Sequence, residues 1–186
     1  MPSLNRIVSL LIVSISLFLV SLARAEDSSF TNWDYKFRIS IPEAFQAEKD
    51  PAPNVGVLVK NKEHGYPTFN VVIVPGLYKA GTLAPQKQLD LIAKEYVSVG
   101  IPQPRVISSS QSKISDRNAF TAVLEYGMGD QILRSSVTKI SGVTSHFILT
   151  FVDTADKFDA SPLNECSNGI HFFITKKEAI RWAKEA

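Results

Sequence analysis

The chain has 186 residues, with 20 Lys and Arg against 18 Asp and Glu, three His and a single Cys. A formal charge of +2 gives no clustered excess of cations to neutralise phosphates, which argues against nucleic-acid binding. One cysteine cannot close a disulfide within the chain, so stability has to come from packing.

The first stretch, MPSLNRIVSLLIVSISLFLVSLARAED, has the three parts of a secretory signal: Arg6, an apolar run from Ile7 to Val20, and Ala23-Arg24-Ala25 as a small-x-small cleavage site. The apolar run is short for a bilayer core, which needs about 20 apolar residues. The expectation is therefore export to the periplasm or the extracellular space with cleavage after Ala25 and no stable membrane span afterwards. The alternative is an uncleaved N-terminal anchor. No cysteine follows the apolar run, which speaks against a lipid-anchored protein. Cleavage would leave 161 residues, and with Arg6 and Arg24 gone the formal charge falls from +2 to zero.

Residues 26–32 are polar and read as loose. YKFRISIP then alternates, with Tyr35, Phe37, Ile39 and Ile41 on one side and Lys36, Arg38 and Ser40 on the other, a half-buried strand stopped by Pro42. Residues 46–54 read as a polar connection with two prolines. VGVLVKN (55–61) and TFNVVIVPG (68–76), rich in β-branched residues, read as two more strands around a KEHGYP turn. A helix is predicted over about 84–99. Leu89, Ile92, Ala93, Tyr96 and Val97 form its apolar stripe, Pro85 suits its first turn, and Gly100 and Pro102 end it. Four strands follow at about 104–113, 118–126, 131–140 and 143–152, joined by turns at 115–117, 127–130 and 141–142. Phe120, Ala122, Leu124 and Tyr126 share one face of their strand, and Val143, Phe147, Leu149 and Phe151 share one of theirs.

Strands, one long helix, a strand meander and a helical end predict a single α+β domain, an antiparallel sheet with helices packed on it. The expected boundaries are a signal peptide at 1–25, the α+β domain at 26–160 and a turn–strand–helix segment at 161–186. In that segment Asn168-Gly169 is the turn and IHFFI the strand. Thr175 and Glu178 form a capping box, and Ala179, Ile180, Trp182 and Ala183 face the core.

YKFRISIPEAF resembles the opening of the PsbP-like group, which includes the DcrB-like exported bacterial proteins. Pro42, Ala44 and Phe45 stand where that group ends its first strand in proline, a small residue and an aromatic, although glycine and tryptophan are more usual there. The resemblance covers about residues 30–160 and implies an α/β/α sandwich of mostly non-enzymatic accessory proteins. NECSNGIHFFITKKEAI is similar to a C-terminal segment found in some pentapeptide-repeat-associated proteins, and this chain has no such repeats.

Chemistry-bearing residues are few. Ser145 and His146 are strand neighbours and point to opposite faces, so they cannot form the hydroxyl–imidazole pair of a triad. No G-x-S-x-G elbow is present. His64, His146 and His171 are far apart in sequence, and no metal site or cofactor is expected. Asp153, Asp156 and Asp159 read as the acidic start of a helix, without the EF-hand pattern. Gly127-x-Gly129 leads into a strand, so it makes no phosphate cradle. Cys166 and His171 are five apart and meet only across a turn. The reading favoured for Cys166 is a small packing residue, with His171 facing water.

Cys166, His171 and His146 are thus the candidate binding residues, with no catalytic residue assigned. The leading functional expectation is a non-enzymatic exported protein that binds a protein partner or acts as an envelope accessory factor. Alternatives are a small-ligand carrier with a cavity between sheet and helix near Tyr96 and Phe147, or a Cys166-dependent enzyme. The chain is expected to be a monomer or a Cys166-linked dimer.

Overall fold

The computed structural model describes residues 28–61, 65–76, 83–101, 104–142, 145–161, 163 and 170–172. Alternating apolar residues build two antiparallel sheets. The smaller contains β1 (Ser28–Asn32), β2 (Phe37–Ile41) and β10 (His171–Phe172), in the order β1-β2-β10. The larger contains β3 (Phe45–Ala52), β4 (Val55–Asn61), β5 (Thr68–Pro75), β6 (Arg105–Ile114), β7 (Arg117–Met128), β8 (Gln131–Ile140) and β9 (Ser145–Thr154). Its order is β3-β4-β5-β9-β8-β7-β6. The helix α1 (Pro85–Ser98) carries the chain from β5 to the far edge, and the β6-β7-β8-β9 meander returns it to pair with β5.

Each face of the large sheet has its own core. Val57, Val59, Phe69, Val71, Ile73, Ala119, Ile140, Phe147, Leu149 and Phe151 pack under Phe37, Ile39 and Ile41 of the small sheet, together with Phe158, Leu163 and Ile170. On the other face Phe120, Ala122, Leu124 and Val137 pack under Ile92 of α1, with Leu89, Tyr96 and Ile148 alongside. Among the described residues the sandwich is therefore lopsided: one helix covers one face. The other is covered by a three-stranded sheet and a single 3-10 turn (Phe158–Ala160), where helices were expected on both sides.

Where β2 crosses the large sheet, the Phe37 ring lies over Gly56. A Cβ on Gly56 would stand 2.5 Å from Ile73 Cδ1 and 3.3 Å from Phe37 Cε1, so any larger residue here displaces the Ile73 side chain. The β6–β7 hairpin closes through Ser115 and Asp116, both at positive φ (47° and 62°), the pair of conformations that matches strand twist in a two-residue hairpin loop.

Two expectations of irregular chain are corrected. Residues 28–32 form β1, paired with β2 from Ser28↔Ile41 to Asn32↔Phe37. Residues 45–52 form β3, paired with β4. Both flank a more apolar strand, and an edge exposed to water tolerates Lys49, Asp50 and Pro51 as a central strand would not. Tyr35 lies in the turn before β2 and is exposed, so the buried alternation begins at Phe37. Val97 points to solvent, although its spacing placed it in the apolar stripe. Gly127 and Met128 belong to β7, which shortens that turn to Gly129-Asp130. The acidic helix start does not form: Asp153 is a buried residue of β9, and Asp159 sits in the 3-10 turn.

The signal sequence, Cys166 and the capping box at 175–178 lie outside the described residues. Among those described, no helix is long and apolar enough to cross a membrane.

Candidate functional site

The α1-facing side of the sheet holds the most unusual polar groups. Gln88, Ile92 and Tyr96 recur every four residues along the inward side of α1. Buried Gln88 donates to the Leu83 carbonyl (2.9 Å), closing the entrance to the helix. The Tyr96 and Ser135 hydroxyls are 2.7 Å apart and share a hydrogen bond, and the Tyr96 ring meets Tyr126 edge-on at 5.5 Å. Burial pushes both phenols above their ordinary range, offset in part by the Ser135 hydroxyl. Next to Tyr96, Glu95 accepts a 2.6 Å ion-paired bond from Lys139, whose side chain is 5% exposed. Each of these groups has a structural partner, and none has the nucleophile–base geometry of a catalytic site.

The sequence-predicted candidates are not brought together. His146 lies on the α1-facing side, with Nδ1 3.3 Å from the Gly76 carbonyl, while its neighbours Ser145 and Phe147 point the other way. His171 lies in β10, opposite Arg38. That strand covers the reverse face, where the rings of Phe172 and Phe147 are 4.5 Å apart, so the sheet separates His146 from the strand that carries His171. His64 lies outside the described residues. Asp153 accepts the N–H of Thr154 at 2.8 Å. Among the described residues no group of three His, Cys, Asp or Glu side chains is placed to hold a metal ion. Tyr96 and Phe147, expected at one cavity, belong to cores on opposite faces. The alternation in each strand was readable, but which alternate set lies beneath the helix depends on how the strands pair.

The reverse face carries a charge relay at its rim. Glu125 accepts from Arg105 and, at 2.9 Å, from Arg134. Arg134 also reaches Asp159 at 3.4 Å and lies 5.7 Å over the Phe158 ring. The hydrogen bonds from Arg105 and then Arg134 hold the Glu125 carboxyl below its ordinary value. A depressed folded-state pKa means that the stabilisation is present above the unfolded value and is lost as pH falls through the folded one. Acid unfolding monitored by circular dichroism should therefore show a flatter acid limb in Glu125→Gln than in the parent. An unchanged limb would remove Glu125 from the account.

The third feature is apolar. Val106 pairs with Leu124, two residues from Tyr126, and Tyr126 meets Tyr96 at the end of α1. Met128 and Ile132 flank the hairpin just beyond. Val97, Val99, Val106, Ile107, Met128 and Ile132 are all exposed, up to 73% at Val99, and they lie towards one end of the sheet, with Ile132, opposite Gly127, on the reverse face beside Arg134. A patch of this kind marks an interaction surface more often than a single exposed side chain does. Sequence reading missed it because Val97 and Val106 fit core patterns as well as surface ones.

No protein-family model matches the chain, and no curated protein matches it by sequence. Solved structures do. Cyanobacterial PsbP from Synechocystis superposes with a TM-score of 0.65 at 12% identity, covering 82% of this chain and 95% of the other. A protein from Bacteroides thetaiotaomicron gives 0.55 at 13% identity, covering 86% of this chain and 57% of its own. The Ran-binding protein Mog1p of Saccharomyces cerevisiae gives 0.54 at 8% identity, covering 79% and 95%. The lopsided antiparallel sandwich, with one helix over the meander, is a PsbP-like fold.

Proposed function

We propose that the chain is an exported, non-enzymatic accessory protein that docks a protein partner, of the cell envelope, at the apolar end of its large sheet. The observation that carries this is the exposed group Val97, Val99, Val106, Ile107, Met128 and Ile132 at one end of a sheet whose two faces are otherwise packed. Apolar side chains surrounded by polar rim residues are the usual anchors of a protein interface. The secretory pattern of residues 1–25 supports export. Mog1p, a Ran-binding protein by name, shows that a scaffold of similar shape can serve protein binding, a likeness of fold and not of site.

A photo-crosslinking residue placed at 99 or at 132 should capture the same envelope protein, whereas one at 50, at the opposite end of the sheet, should not. The pair Val97→Asp and Met128→Asp, which leaves both crosslinking positions free, should weaken that capture at least about tenfold, the equivalent of some 1.4 kcal/mol. Equal capture at all three positions would refute the docking end. Turnover of a hydrolase substrate, lost in Cys166→Ala or His146→Ala, would refute the non-enzymatic reading.

One observation favours a ligand carrier as the second reading. Asn70 Oδ1 is buried without a hydrogen-bond partner among the described residues, on the α1-facing side between Leu58 and Thr150 in register. A small ligand with a donor group would satisfy it. Thermal stabilisation by such a molecule, lost in Asn70→Ala, would favour this reading.

A further inference from the structure

The large sheet ends in two edges that differ in character. At β3 the chain places Glu48, Lys49, Asp50 and Pro51 and breaks register between Lys49 and Ala52. Charge, proline and a bulge are the devices by which a strand edge resists pairing with another chain. At β6 such protection is confined to the ends. A register shift lies between Val106 and Ser108, and the charged residues are Arg105 and Lys113. Between them runs Ser108-Ser109-Ser110-Gln111-Ser112, regular, uncharged, free of proline and exposed on both faces. Among the described residues no strand pairs with its outer side, which leaves from Ser108 to Ile114 an edge of about 23 Å at about 3.3 Å per residue.

We propose that β6 is a self-association edge, on which a second copy of this chain pairs its own β6 antiparallel and joins the two large sheets into one. A two-fold axis through the strand makes the contact close on itself. The composition fits that occupant. Two copies of a serine-rich strand bring hydroxyls opposite hydroxyls, and this sheet already uses such a pair, with Thr121 and Thr138 2.9 Å apart on β7 and β8. Charge fits as well. Arg105 is answered by Glu125 within its own chain, and antiparallel pairing about Ser110, the middle of the serine-rich run, keeps each Lys113 about 20 Å along the strand from its copy. This contact adjoins the apolar end, whose Val106 and Ile107 lie on the same strand, and is independent of Cys166.

Sedimentation of the purified chain in reductant should show a dimer whose fraction rises with concentration and which persists in Cys166→Ser. Amide exchange in residues 108–114 should slow as the dimer forms. Ser109→Asp with Ser110→Asp sets like charges across the seam and should abolish the dimer while leaving the circular dichroism spectrum unchanged. Mixing that variant with Ser109→Lys, Ser110→Lys should restore dimer as a heterodimer. A monomer at every concentration, a dimer that disappears with the thiol, or one indifferent to the paired aspartates would each overturn the proposal.

Discussion

Phe37→Ala is expected to destabilise the protein by about 4 kcal/mol, the middle of the range for deleting a buried aromatic ring. Phe37 is fully buried, with its ring 6.2 Å from Phe30 and edge-on to Phe147 at 6.4 Å. It stands over Gly56, at the place where β2 crosses the large sheet. Alanine would leave a cavity between two sheets that backbone pairing holds apart, so the site can collapse only in part. Phe37→Leu keeps more of the volume and should cost about half as much. Urea unfolding of the three proteins checks this. A loss below about 1 kcal/mol for the alanine variant would mean that the small sheet is not part of the cooperative core.

Asn32→Ala comes next, at about 3 kcal/mol. Asn32 is fully buried at the end of β1. Its Nδ2 donates to the Gly56 carbonyl at 3.2 Å, and its Oδ1 accepts from the amides of Asp34 and Tyr35, each at 3.1 Å. One side chain thus shapes the β1–β2 turn and fastens it to β4. Removing it leaves the buried Gly56 carbonyl short of a donor, worth about 1–3 kcal/mol, and frees the amides of the exposed Asp34 and Tyr35, which loosens the turn. Asn32→Asp keeps the acceptor for the two amides, loses the donor to Gly56 and buries a charge, so it should be no milder than alanine at neutral pH. If Asn32→Ala unfolds within about 0.5 kcal/mol of the parent, the turn is held by its strands alone.

These two residues differ in how visible they were. Phe37 announces itself through alternation with Ile39 and Ile41. Asn32 lies in a polar stretch that reads as loose, because its partners are 2, 3 and 24 residues away and no local pattern records them. The same divide runs through the rest of the molecule. The bounds of α1 follow from Pro85 and from Gly100, which takes a φ of 87°. β4, β5, β7, β8 and β9 follow from their periodicity. β1 and β3 escaped because an edge strand takes its apolar support from one neighbour and its polar residues from water. The candidate histidine His146 was placed correctly with respect to Ser145, since strand geometry alone sends neighbours to opposite faces. Its separation from the strand carrying His171 required knowing that β10 joins the small sheet.

From the sequence alone came the α+β class, the antiparallel meander, the position of the one long helix and the expectation of export, all set by short-range periodicity and composition. The tertiary structure decided which face of each strand meets the helix, and that the other face is closed by a small sheet. It also decided that Val97, Val99, Val106, Ile107, Met128 and Ile132 lie towards one end, and that β6 is an edge strand among the described residues. The reason is physical: period and capping act over a few residues, whereas faces, edges and patches are properties of pairing between strands as far apart in the chain as β5 and β9.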